Sequence, residues 1–146
     1  MATYKGMYKV KNPAKYTGDH TNVIYRSLWE RNVFRWCDDN PQILKWSSEE
    51  VVVPYYYDLD KKYHRYFVDL KFTTDQGTFL IEIKPKNQTV PPKKPKRQTA
   101  RYLNEAASYI KNQCKWKAAE TYAKDRGWKF VVWTEDEIRS MGIKIL

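Results

Sequence analysis

The chain has 146 residues, enough for one ordinary domain, residues 1–146, with a hydrophobic core of its own. A hydrophobic fraction of 42% and an aromatic fraction of 16% exclude a disordered or collagen-like chain, and no stretch approaches the roughly 20 consecutive apolar residues of a membrane span. The 27 Lys and Arg against 17 Asp and Glu leave a formal charge of +10, which points to a polyanionic partner, with solubility alone as the plainer explanation.

The opening, MATYKGMYKVKNPAKYTG, lacks an apolar block between a charged start and a small-residue cleavage site. It does not read as a secretory signal, so residence in a cytoplasm is expected. It carries Lys5, Lys9, Lys11 and Lys15 with no acid and little apolar periodicity, which predicts an extended basic arm over residues 1–20 rather than a packed element. From about Tyr25 to Asp39, Leu28, Val33, Phe34, Trp36 and Cys37 recur at helical spacing, and the Asn40 and Pro41 pair supplies a stop.

The period then changes. VVVPYYYD and YHRYFVDLKFTT are β-branched and aromatic runs around the polar turn from Asp58 to Lys62, and TFLIEIK follows a second turn at Asp75, Gln76 and Gly77. These predict an antiparallel meander. After Lys84 comes PKNQTVPPKKPKRQ, a proline-rich, basic segment that fits neither a central strand nor a helix and predicts a long basic loop over residues 85–98. Helical character returns from about Thr99 to Arg126, with Leu103, Ala106, Ile110 and Cys114 on one stripe and Trp116, Ala119 and Ala123 on another. The change of stripe predicts a break near Asn112. Gly127 terminates that helix, WKFVVWT reads as a short strand, and residues 135–140 as a last helical turn. The expected fold class is α/β in the order α-β-β-β-α-β, a mixed sheet flanked by helices.

Cys37 and Cys114 both fall in predicted helices and read as reduced core residues. With His20 and His64 scattered, no zinc-ligand spacing exists, so a metal would have to be held by carboxylates. Alternation along LIEIKPK places Glu82 and Lys84 on one strand face, and the preceding turn folds Asp69 back across from Glu82. Two carboxylates and an ammonium then converge, which suits phosphodiester hydrolysis. Mg²⁺ takes hard oxygen ligands, commonly one or two carboxylates and several waters. The ion polarises the phosphoryl oxygen and promotes hydroxide formation, while Lys84 orients the attacking water.

Each piece also has a plainer reading. IEIK alone is an amphipathic strand facing solvent, and Asp69 alone could pair with Lys71 or Arg65. Ser27, Leu28, Trp29 and Glu30 match the S-x-x-E capping box, and on the residues alone Glu30 is better explained as a cap. The conjunction of acid, turn and acid-x-lysine after a helix bearing its own acid, in a basic chain, carries the catalytic reading.

The order of Glu on a first helix, then Asp, then Glu-x-Lys on hairpin strands resembles the PD-(D/E)XK nuclease superfamily. More narrowly, YRSLWE, SEEVVVPYYYD, HRYFVDLKF, LIEIKPK and WKFVVWTEDEI are similar to the head completion nucleases of T-even-type tailed bacteriophages. They are also similar to the restriction-enzyme-like subunit of some cut-and-paste transposases. The resemblance runs from about Tyr4 to Ile138. It implies a restriction-endonuclease-like fold and a DNA endonuclease with metal ligation by Asp69 and Glu82, the Ile83 carbonyl completing the shell. It further implies water activation by Lys84 and a supporting acid in Glu30. The implied metal is Mg²⁺, with Mn²⁺ as a substitute. Val68 stands where the superfamily usually has proline, which shapes the strand entry but provides no ligand.

The implied biology is an assembly-stage or virion-associated enzyme in the host cytoplasm, trimming packaged double-stranded DNA ends before tail attachment, with portal or neck proteins as partners. Lys86, Lys93, Lys94, Lys96 and Arg97 form a backbone-tracking loop beside the site in this reading. A nuclear localisation signal or a solvated linker are the other readings of PPKKPKR. Rival functions are a non-catalytic DNA-binding head-neck protein and a transposase-type cleavage subunit. A clamp without metal would leave Asp69 and Glu82 repelling phosphate. The absence of a Gly-x-x-x-x-Gly-Lys motif argues against a nucleotide cofactor.

Overall fold

The computed structural model describes residues 5–145. In chain order the elements are β1 (Gly6–Met7), β2 (Ile24–Tyr25), α1 (Leu28–Asp39), β3 (Lys45–Ser47), β4 (Val52–Tyr57), β5 (Lys62–Phe67), β6 (Leu70–Thr74), β7 (Gly77–Ile83), α2 (Ala100–Asp125), β8 (Lys129–Trp133) and α3 (Glu135–Ser140). A four-stranded sheet runs β3-β6-β7-β8, antiparallel except for the β7 and β8 pair, which is parallel with α2 as the crossover. The expected mixed sheet with helices on both sides is the fold observed.

The period-2 alternation of β7 divides two apolar layers. Ile81 and Ile83 join Leu70, Phe72 and Trp133 beneath the α1 residues Trp29, Val33, Phe34 and Cys37. Leu80 faces the other way, into a cluster with Trp116, Ala119 and Ala123 of α2 and Val53, Tyr55 and Tyr66 of the β4 and β5 hairpin. Both faces of β7 are therefore covered, which explains its almost unbroken apolar run.

Capping sets the helix ends. The Ser27 hydroxyl accepts from the Glu30 N–H at the start of α1, and the Thr99 hydroxyl accepts from the Tyr102 N–H at the start of α2. At the end of α2, Gly127 takes φ +74°. The Trp128 N–H donates to the Ala123 carbonyl and the Gly127 N–H to that of Lys124, the two bonds of a Schellman motif.

Three expectations are corrected. The run from Tyr63 to Thr74 is not one strand: it bends at Val68 and Asp69, where the Val68 N–H turns to the Val51 carbonyl, so β4 and β5 form a separate two-stranded hairpin. The long helix does not break near Asn112. Only its C-terminal half packs on the sheet, with Trp116, Ala119 and Ala123 buried, while Leu103 and Ile110 stay exposed. The change of stripe thus marks where packing begins.

The basic arm is also anchored to the core at intervals rather than free, its first four residues lying outside the described residues. Tyr8, Val10 and Tyr16 enter the α1-side core. Asp38, 1% exposed, gathers the segment. Its carboxylate accepts from the Tyr8 hydroxyl at 2.8 Å, the Lys11 N–H at 2.7 Å and the Asn12 N–H at 3.1 Å. Lys15 Nζ donates to the carbonyls of Cys37, Asp38 and Asn40 at the C-terminus of α1, where the helix dipole favours a cation. Those lysines read as a solvated arm because their anchors lie far along the chain. Replacing Asp38 with Ala strands three buried or half-buried donors. Urea unfolding should show a loss of about 3 to 5 kcal/mol, given ~1 to 3 kcal/mol per unsatisfied buried group and incomplete additivity.

Candidate active site

The β6 and β7 register pairs Leu70 with Ile81, so the next pair outward would be Asp69 with Glu82. Asp69 stands just before β6 at the bend, and its carboxylate accepts from the Ile83 N–H at 2.9 Å. This bond pins the side chain across the end of β7. Glu82 lies on the α2 side of β7, 4% exposed, and accepts from the Trp116 indole N–H at 2.8 Å. Both acids line one cavity of about 320 Å³ with Glu30, Arg65, Tyr66, Phe67, Ile83, Lys84 and Lys115. Lys84 continues the sheet by donating its N–H to the Trp133 carbonyl, which holds its side chain at the cavity.

A buried carboxylate and a half-buried one side by side cannot both ionise without strong repulsion. Burial first, then the Glu82 charge, lift Asp69 well above the usual carboxylate range. Burial acts on Glu82 in the same direction. Hydrogen bonding with Asp69, the Lys84 charge and the Trp116 indole outweigh it and hold Glu82 below its usual value. The two acids titrate as a coupled pair, between which one proton can be shared.

A divalent cation between these oxygens would take over the role of that proton. The residues fit such an ion: the donors are hard carboxylate oxygens opening on one polar cavity. Burial, then the Glu82 and Asp69 charges, push the Tyr66 phenol up, so it stays a neutral donor.

Glu30 lines the same cavity from the first turn of α1, but among the described residues no three carboxylate, His or Cys side chains form a ready metal cluster. Its carboxylate is turned toward its own helix start, accepting from the Arg26 N–H at 3.4 Å and the Ser27 hydroxyl at 3.5 Å. The capping geometry and the cavity position therefore coexist. Burial raises its pKa to about 7, the Arg26 N–H opposing and Glu49 adding to the rise.

The sequence reading gives Tyr66 and Lys115 no part in the site and places Trp116 only on a helical stripe. Lys115 Nζ lies 5.5 Å from the centre of the Tyr66 ring, and Lys111, one turn earlier, lies 5.5 Å from that of Tyr57. Burial lowers the Lys115 pKa, with Glu82 pulling it back up. A signal existed in Lys111 and Lys115 at i, i+4 beside a buried tryptophan, but nothing local told which sheet face the helix would cover. None of Lys86, Lys93, Lys94, Lys96 and Arg97 lines the carboxylate cavity. Lys86 pairs with Asp136 at 3.2 Å, and the others stand exposed on the loop before α2.

Residues 40–135 match the family described as TnsA-like endonuclease N terminal. The chain belongs to this endonuclease family. It is also 44% identical over 146 residues, 97% of each chain, to a protein of Enterobacteria phage T4 named head completion nuclease. The matched span of the TnsA-like family includes Asp69, Glu82, Lys84 and the whole of α2 with Lys115 and Trp116, whereas Glu30 and α1 precede it.

The acids leave a signature in stability. A group bound to its proton more tightly in the folded chain favours folding at pH below its unfolded value, and that contribution is lost as pH rises through the folded one. For Glu30 the window runs from 4.5 to about 7. In EDTA, the Glu30→Gln protein should therefore gain on wild type between pH 5 and pH 8, ending about 5 °C or more higher in Tm at pH 8. A variant less stable than wild type at both pH values would leave Glu30 as a helix cap only.

Proposed function

We propose that the chain is a Mg²⁺-dependent DNA endonuclease of phage head completion. The reading rests on one observation: Asp69, Glu82 and Lys84 converge on a single cavity in a member of an endonuclease family. The T4 relative's name supplies the process. Packaged DNA ends are the proposed substrate in the infected cell or the virion, with portal or neck proteins as partners.

Asp69 and Glu82 hold the cation in this reading, with the Ile83 carbonyl as a third oxygen ligand; Mn²⁺ would substitute. The bound ion supplies a Lewis acid for the phosphoryl oxygen and lowers the pKa of water. Trp116 and the Ile83 N–H fix the two carboxylates, so their geometry is set before substrate arrives. Lys84 orients the attacking water and offsets charge developing on the phosphate. Glu30, with its pKa lifted to about 7, is suited to take a proton from that water at neutral pH. Lys115 is a second cation at the cavity wall for the strand being cut, and Lys86, Lys93, Lys94, Lys96 and Arg97 track the duplex backbone further out.

Supercoiled and linear DNA incubated with Mg²⁺ or Mn²⁺ should be cut by wild type, spared in EDTA and spared by Glu82→Ala. Binding without cutting by wild type under every metal condition would overturn the reading. Lys84→Ala should lower the cleavage rate on the order of 100-fold or more, while changing the slope of log affinity against log salt by about 1 at most. Equal loss of cutting and binding would remove its water-orienting role.

A further inference from the structure

The hairpin of β4 and β5 covers one face and leaves the other open. Its register pairs Val53 with Tyr66 and Tyr55 with His64 on the inner face, against α2. The outer face carries the pairs Val52 and Phe67, Pro54 and Arg65, and Tyr56 and Tyr63. Tyr63 is 76% exposed, Phe67 46% and Tyr56 42%. The Tyr56 and Tyr63 rings meet edge to face at 5.2 Å, and the Arg65 guanidinium lies 5.7 Å from the Phe67 ring centre. A hairpin that merely faced water would gain nothing from three open aromatic rings in a row.

The strip has a direction. Arg65 and Phe67, at its inner end, also line the cavity holding Asp69, Glu82 and Lys84. Lys61 stands exposed at its outer end, in the hairpin turn that also carries Asp58 and Asp60. Flat rings interleaved with a guanidinium are complementary to unpaired nucleotides. Each base offers a π-face to a ring and each phosphate a charge to a cation. An intact duplex hides those base faces in its own stack, so the strip discriminates in favour of an opened end. A protein docked on the same rings would cover Arg65 and Phe67 and obstruct the cavity mouth.

We infer that the outer face of the β4 and β5 hairpin is a stacking platform for unpaired nucleotides. It leads a single-stranded segment at a duplex end past Tyr63, Tyr56 and Phe67 to the carboxylates, with Arg65 on its backbone. The inference rests on the nuclease reading for the fate of that segment, but the platform itself is a binding property. Its substrate class is branched or frayed DNA ends rather than continuous duplex.

The test is equilibrium binding of the full chain in EDTA, so cleavage plays no part and the platform stands or falls separately from the nuclease. The probes are a blunt duplex and the same duplex with an unpaired arm carrying 2-aminopurine. Wild type should bind the armed duplex more tightly and alter the fluorophore's stacking-sensitive emission. Tyr63→Ala and Tyr56→Ala should each weaken armed-duplex binding by about tenfold, near the lower end of the effect of losing one base-to-ring stack, with blunt-duplex affinity within about twofold and the salt slope unchanged. Tyr63→Phe, which keeps the ring, should retain the preference. Circular dichroism and Tm would confirm that these substitutions of exposed side chains leave the fold intact. Equal affinity of wild type for the two probes, equal losses on both in the Ala variants, or a self-associating dimer abolished by Tyr63→Ala would overturn the platform.

Discussion

Holding Asp69 and Glu82 side by side at one end of the sheet, one half-buried and the other buried, is the constraint to which much of the structure answers. Left alone, the pair would repel itself out of the fold or hold a proton tightly enough to lose its use. The Ile83 N–H takes one carboxylate and the Trp116 indole the other, and Lys84 sets a positive charge beside them. Each partner comes from a different level of organisation: a backbone group at the strand end, a side chain from the crossover helix, and the next residue on the same strand face. The site is therefore a property of β7 seated between β6 and β8 under α2, and no isolated hairpin could hold it.

The second anchor lies at the other end of α1. Glu30 reaches the cavity from the first turn of that helix, and Asp38 and the carbonyls of Cys37, Asp38 and Asn40 receive Tyr8, Lys11, Asn12 and Lys15 from the N-terminal segment. The helix is thereby held at both ends, by a cap beside the site and by a clasp remote from it. Basic residues that look like DNA contacts in the sequence spend part of their charge on a helix terminus. Net charge counts lysines without saying which ones are engaged.

What the sequence disclosed and concealed follows from the range of each interaction. Glu82 and Lys84 share a cavity because strand alternation is local, and Asp69 meets Glu82 because a short turn between two strands fixes the register. Gly127 ends its helix through bonds spanning a few residues. The bend at Val68 and Asp69 was concealed, since a β-branched and aromatic run reads the same whether it stays in one sheet or leaves it. Tyr66, Lys115 and Trp116 were concealed because their position depends on which sheet face α2 covers. The buried strand at Lys45–Ser47 was also missed, three residues long and recognisable only by the full enclosure of Trp46 against Tyr16. The clasp at Asp38 joins residues too far apart for any periodicity to reveal.

The place of β7 in the sheet bears on how the protein is made. One neighbour, β6, is its hairpin partner and emerges from the ribosome just before it, whereas the other, β8, appears only after the whole of α2. Until then the strand bearing Glu82 has an open edge, and the indole that fixes Glu82 has not been brought to the sheet. A nascent chain thus carries the acids long before it carries a site. Assembly of the cavity waits for β8, when the parallel strand locks in and the helix settles over it.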